Sequence, residues 1–412
     1  MDLIVKKIKS SNFLNNLYTL GFCIQTIVFF LRSTLIGSDH LGRINIIYGR
    51  TCTSFLFLSI LFILLKIILE DNSSYFYKIF SLFLFCISSY IYLNTNYLEV
   101  VCVIMLALGS KGTDYFALAK KFFWIGTFLT ALTIFLSLTN VIVNVEVSKS
   151  GYTTYALGAV YPTDFAAHIF TLSLSYYVYK MRDSFSYLSI FILCILILIT
   201  YKVTYAKNDI ICMLILLFSI TVYKLYFEFN SKFKEKNKII INAFIDKLHH
   251  FYKAVVVSLS SYSFLIISSL SMAFAYTFNN SYFFSKLNDL LTGRIFYSNE
   301  AIKLYPLDLL GHKVIQNGFG GVNGLSNATH YFFIDQSVVR MFTMYGLVIS
   351  SLFIIGYTVK MVRLKSNENS FIIILFAIFS LYCFVDFRVF DPSYNVFLPI
   401  LFANLSSKHI EY

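Results

Sequence analysis

Residues Phe185–Thr200 read FSYLSIFILCILILIT, without a single formal charge. The run lies inside an apolar stretch of about twenty residues, the length a helix needs to cross a bilayer core at ~1.5 Å per residue. Phe55–Leu65 and Ala254–Ala275 read the same way. One such run alone is equally a buried core helix; many of them, separated by short polar breaks, define a membrane protein. Composition agrees. Charged residues make up 13% of the 412 positions, about half the ~25% share of a soluble domain, and the mean hydropathy is +0.72.

In lipid, only helices and closed barrels satisfy every backbone N–H and C=O. The apolar runs are continuous and do not alternate at period two, which excludes a barrel. The expected fold is therefore all-α and polytopic, a single membrane domain over 1–412. About twelve transmembrane helices are expected, near 13–36, 44–65, 76–93, 97–110, 122–145, 161–180, 184–203, 209–225, 254–276, 337–359, 370–387 and 394–406. The first run is longer than a signal-peptide core and lacks a small-x-small cleavage site, so it reads as a retained helix.

The net charge of +12 raises the question of nucleic acid, but its distribution answers differently. Basic residues collect at helix ends on one side, which is a topology signal and implies no nucleic-acid partner. With both termini cytoplasmic, 21 of the 33 basic residues face inward, seven lysines of a basic cytoplasmic loop at 224–253 among them. That loop also carries Ile239, Ile240, Phe244, Leu248 and Phe251 at helical spacing. It reads either as a plain anchor or as a strip lying on anionic headgroups.

On the opposite side, residues 277–336 form a large extracytoplasmic loop before the tenth helix, longer than a membrane hairpin needs. Phe278, Tyr282, Phe283, Phe284, Ile295, Phe296 and Tyr297 predict short amphipathic helices there. The seven cysteines fall in or beside apolar runs and read as packing. No disulfide framework, metal site or cofactor is implied.

Lysine and arginine sort differently. Lysines go inward, 19 of 25, whereas six of eight arginines fall on the outer half: Arg32, Arg43, Arg50, Arg294, Arg340 and Arg388. A guanidinium fork binds carboxylate or phosphate oxygens bidentately, while ammonium is a hydrated point charge. Arginines gathered against the topology bias therefore point to an anionic ligand such as a pyrophosphate. Arg32 and Arg43 read as snorkelling helix ends. Arg50, Arg294, Arg340 and Arg388 sit beside polar clusters and are candidate substrate contacts, with helix-end salt bridges as the plainer alternative.

Four polar clusters lie on this side. Asp164 and His168 follow Tyr161-Pro162-Thr163 at spacing i, i+4, sharing one helix face; Asp164 alone reads as a helix-dipole charge, but with an ionisable ring one turn deeper the two are candidate substrate contacts. Lys207 stands with Lys202, Asn208 and Asp209 in a short turn, as an anion contact or an ordinary loop lysine. The long loop offers Thr292-Gly293-Arg294, Gly311-His312-Lys313, Gly318-Phe319-Gly320-Gly321 and His330 through Gln336. Asp335 reads either as a simple partner of Arg340 or, with His330, as a candidate general base beside an arginine-held anion. Asp386, Arg388 and Asp391 close the site from another edge or form an exposed hairpin ion pair.

The layout resembles the bacterial repeat-unit polymerases of the Wzy type, within the O-antigen ligase and polymerase superfamily. The likeness rests on the overall arrangement and, locally, on Tyr161-Pro162-Thr163-Asp164, Thr292-Gly293-Arg294, the glycines after it, and Ile334-Asp335-Gln336 leading to Tyr345-Gly346. It implies metal-independent glycosyl transfer at the outer face of a bacterial cytoplasmic membrane. The donor would be a glycan on undecaprenyl pyrophosphate, the acceptor another lipid-linked repeat unit, and the partners a flippase and a chain-length regulator. Arg294 matches the family's loop arginine and is implied to touch pyrophosphate. Asp335-Gln336 stands where relatives often carry His-Asn, and Ala206-Lys207-Asn208 where they carry Ser-Arg. A glycan ligase and a lipid-linked glycan flippase are the alternatives.

Overall fold

The computed structural model describes residues 11–36, 42–71, 73–149, 151–182, 185–234, 252–279, 281–318, 320, 331–365 and 371–405. Its helices are α1 (Ser11–Arg32), α2 (Gly42–Leu69), α3 (Tyr75–Thr95), α4 (Leu98–Gly109), α5 (Tyr115–Leu138), α6 (Pro162–Tyr179), α7 (Tyr187–Thr204) and α8 (Lys207–Lys234). After these come α9 (Ser263–Thr277), α10 (Tyr282–Leu290), α11 (Arg294–Leu304), α12 (Gly346–Leu364) and α13 (Phe371–Cys383). Among the described residues, seven stretches are long and apolar enough to cross a membrane: α1, Ile47–Leu69, α3, α5, α7, Lys207–Leu225 and Ser337–Leu364. A pair bent by 57°, Val255–Ser261 and Ser263–Thr277, makes an eighth if taken as one span. Large apolar side chains such as Phe128 (67% exposed) and Phe218 (70%) point outward, a surface suited to lipid and costly in water. The chain is a helical, multi-pass membrane protein.

Besides that bent pair, expected as one helix at 254–276, two expected helices differ. The stretch predicted at 122–145 begins earlier, because Asp114 caps α5 by accepting from the Phe116 N–H at 2.9 Å and the helix runs on through exposed Lys120 and Lys121. It stops at Leu138, and β-branched, alternating Val141, Val143, Val145 and Val147 lead into a hairpin, β1 (Glu146–Lys149) and β2 (Tyr152–Tyr155). The second is 394–406, where no α-helix forms. Residues 388–390 and 398–401 make 3₁₀ turns. Asn395 donates to Val389 O at 2.7 Å and Asp391 accepts from Ser393 N at 2.8 Å, so side chains replace the helical ladder. Pro392 and Pro399 remove two donors. The segment is buried almost throughout, the setting in which irregular backbone survives among membrane helices.

That segment links the two ends of the bundle. Asp386 meets Ser337, while Asn404 exchanges backbone bonds with Thr113 and Tyr115. The 12-residue α4 runs beside it, about 18 Å long and nearly all buried.

The loop between α9 and α12 contains α10 and α11, built from the aromatics that predicted short helices. Further on, residues 308–312 are clamped against the start of α12. His312 N donates to Thr343 O at 2.8 Å and Leu347 N to Asp308 O at 2.9 Å. Gly311 (φ +77°) and Gly346 (φ +86°) make this approach possible, since a Cβ on Gly346 would lie 2.4 Å from Leu309 O.

Candidate functional site

Past the end of α13 the chain turns, and Asp386-Phe387-Arg388 enters the bundle. Arg388 is 2% exposed. Its Nη1 donates to Asp386 Oδ2 and, at 3.2 Å, to the Tyr382 hydroxyl; its Nη2 donates to Asp164 Oδ1. Asp164 occupies the first turn of α6, after Pro162, where the helix dipole favours an anion. A guanidinium this deep persists only when paired, and two carboxylates from distant segments do so. Of the two readings weighed from sequence, the exposed hairpin ion pair does not form, and Arg388 lies instead in a buried triad.

One turn along α6, His168 is also buried. Its Nε2 lies 2.7 Å from Ser33 Oγ, its ring stacks on Tyr394 at 4.1 Å, and Phe30 covers it at 4.2 Å. Tyr394 in turn lies under Arg388, 4.8 Å from the guanidinium carbon. Asp164 and His168 share a face as their spacing predicts.

Arg294 opens α11 after two left-handed residues, Thr292 (φ +55°) and Gly293 (φ +86°), which turn the chain sharply out of α10. Its Nε stands 3.5 Å from Asp335 Oδ2, both side chains about a fifth exposed. This distance is long for a charged hydrogen bond, so the pair is loose. Burial raises the Asp335 carboxyl above its ordinary range; Arg294 and Arg388 pull it back, and Asp386 raises it further. The pairing of Asp335 with Arg340 weighed from sequence does not form, because Arg294 takes that place.

Arg340 is held instead by neutral groups. Nη1 donates to Gln316 Oε1 at 3.1 Å, and the guanidinium lies 5.3 Å from the Phe333 ring and 4.8 Å from that of Phe387. Arg388 contacts the same Phe387 ring at 4.5 Å. Among the described residues, Arg340 is the member of this arginine group with no carboxylate within salt-bridge distance.

Asp209 belongs here although the sequence favoured its neighbour. Lys207 is exposed and lies 5.9 Å from the Tyr205 ring. Asp209, two residues into α8, is 2% exposed, its Oδ1 has no hydrogen-bond partner among the described residues, and it feels the charges of Asp386, Arg388 and Arg294. The available signal was an acid in the first turn of an apolar helix. Glu99, which accepts from the Tyr345 hydroxyl at 3.2 Å and feels Arg340, was likewise missed.

Not every expected residue converges. Arg50 is exposed on α2, and no described contact joins it to the cluster. His330 lies outside the described residues, as do Gly321 and most of the basic 224–253 loop. Among the described residues no three His, Cys, Asp or Glu side chains gather as metal ligands. The chain matches no family model, no curated protein and no solved structure.

Proposed function

We propose that the protein polymerises lipid-linked oligosaccharide repeat units by glycosyl transfer at the outer face of a bacterial cytoplasmic membrane. The supporting observation is the arrangement around Phe387. There Arg340, with no carboxylate within salt-bridge distance among the described residues, and Asp335, a partly exposed acid with a raised carboxyl, come from one helix start and face the Arg388 triad. In this reading Asp335 takes the proton of an acceptor sugar hydroxyl, whose oxygen bonds to the donor's anomeric carbon. The bond from that carbon to the pyrophosphate breaks, and the leaving group departs with the electron pair, its charge met by Arg340. Arg294 and Asp209 shape the field, and the Arg388 triad holds the frame. The orientation rests on the lysine bias, which puts this end outside and both termini inside. A flippase would supply the substrate and a chain-length regulator would set its extent.

The test is deletion of the gene in its host with analysis of lipid-linked glycans, and complementation by Asp335→Asn. Single repeat units accumulating at the outer face, unrelieved by the variant, are expected. A second reading, a glycan transporter, draws on the buried irregular segment 384–405 and the bent pair at 255–277, features of chains that carry solutes through a bundle. Substrate trapped on the cytoplasmic side would favour it and sink the polymerase. Polymer made but not attached to its final carrier would point to a ligase.

A further inference from the structure

At the end of the bundle opposite the charged cluster, a groove of about 320 Å³ runs between α3, α4 and α12. Its walls are apolar, with Leu84, Ala107, Leu352, Gly356 and Phe402 among them. Ile355, which also lines it, is 59% exposed, so the groove opens on the lipid-facing surface. Gly356 keeps it open: an added Cβ would make only an ordinary contact, 3.5 Å from Leu401, but a longer side chain would enter the space.

One end of the groove is cationic. Lys360 and Arg363 line it, with Lys360 Nζ donating to Ala403 O at 3.2 Å. Lys111 stands close by, 4.2 Å over the Tyr77 ring, which packs edge-on against Phe402 at 5.6 Å. Among the described residues that line it there is no Asp or Glu. An apolar trough ending in basic side chains is complementary to one class of molecule in a membrane, an acyl chain with an anionic headgroup.

We propose that this groove is a selective site for an anionic glycerophospholipid, an acyl chain along α12 beside Gly356 and the headgroup phosphate on Lys360 and Arg363. The site is remote from the charged cluster and does not rest on the glycosyl-transfer reading. A zwitterionic phospholipid carries the same phosphate, but its own cation cancels the net charge that Lys360 and Arg363 would attract.

The experiment uses the full chain purified in detergent, with native mass spectrometry and thermal unfolding against phosphatidylglycerol and phosphatidylcholine. Retention of phosphatidylglycerol over phosphatidylcholine is expected, with a rise in Tm for the first lipid alone. The exposed Arg363→Gln and the double variant Lys360→Gln/Arg363→Gln should lose the preference, while Lys202→Gln/Lys207→Gln, at the other end, keeps it. Gly356→Leu should reduce binding of both lipids, and Gly356→Ala should not. Equal retention of the two lipids by the unaltered protein overturns the proposal without recourse to any variant. So does a preference that survives in Arg363→Gln, or binding undiminished by Gly356→Leu.

Discussion

Arg388 pairs with Asp164 across 224 positions of sequence, joining the segment after α13 to the first turn of α6. Because the guanidinium is 2% exposed, the pair works as a two-sided constraint. Neither partner is tolerable there without the other. Arg388→Ala leaves Asp164 and Asp386 buried and uncompensated, at a cost of about 3–5 kcal/mol. Thermal unfolding in detergent should show this as a large fall in Tm. Combining Arg388→Met with Asp164→Asn and Asp386→Asn should recover much of it, since the unpaired charges go too. A combined variant as unstable as Arg388→Ala alone would contradict this account.

Asp335 sets a pH dependence. Burial raises its carboxyl above the ordinary value of about 3.9. The folded protein then binds more protons than the unfolded chain between the two values, so this group's contribution to stability falls as pH rises through that window. Transfer activity that needs the ionised base should rise with pH instead, with a midpoint above the ordinary aspartate range. Arg294 pulls the carboxyl down, so Arg294→Gln should move the rising limb to higher pH. A rate profile recorded with purified lipid-linked donor checks both signs, and a limb unmoved by Arg294→Gln removes that arginine from the field of Asp335.

How far the sequence could be read follows from the range of each interaction. Spans such as α7 are legible because continuous apolarity is local, and so is the shared face of Asp164 and His168. The loop helices α10 and α11 announced themselves through their aromatics. By contrast, residues 394–406 look like a short apolar helix until Asn395 and Asp391 are seen bonding to their own turn. Which arginines are neutralised was equally hidden, because Arg388 finds Asp164 and Arg294 finds Asp335 only in the folded chain. Asp209 was passed over for Lys207 because spacing cannot say which of two neighbours points inward.

Arg340 carries the leaving-group prediction. Removing a donor aimed at developing charge costs about a hundred- to a thousandfold in rate. Arg340→Ala should show that loss in kcat with polymer length measured on gels, and Arg340→Lys should fall between, keeping the charge but not the fork. Full activity in the lysine variant would mean that the planar guanidinium is not used.

His168 is predicted to act as a packed ring. Tyr394 and Phe30 cover its faces and its Nδ1 has no hydrogen-bond partner among the described residues. His168→Phe keeps both stacks and gives up the Ser33 bond, a loss of about 1 kcal/mol. His168→Ala empties the slot and should cost about 2–4 kcal/mol. Transfer activity preserved in the phenylalanine variant would place His168 in the frame; activity abolished in a protein of normal Tm would place it in the chemistry.

Gly346 tests whether the long loop must be clamped for the site to exist. It sits where the wide turn Met341–Tyr345 passes into α12, at φ +86°, with Leu309 O 2.4 Å from where a Cβ would stand. With ψ at 167° this is an extended positive-φ conformation that essentially only glycine adopts, so alanine there costs about 1–3 kcal/mol in backbone strain and must also push residues 308–312 away. Those residues lead to Gln316, which holds Arg340, so the displacement should reach the anion contact through the backbone. Gly346→Ala should therefore expose the 308–316 stretch to protease and lower transfer together. Gly49, where an added Cβ meets nothing within 4 Å, supplies the control: Gly49→Ala should leave both unchanged. If Gly346→Ala loosened the loop yet left transfer intact, Arg340 would not depend on Gln316 for its position.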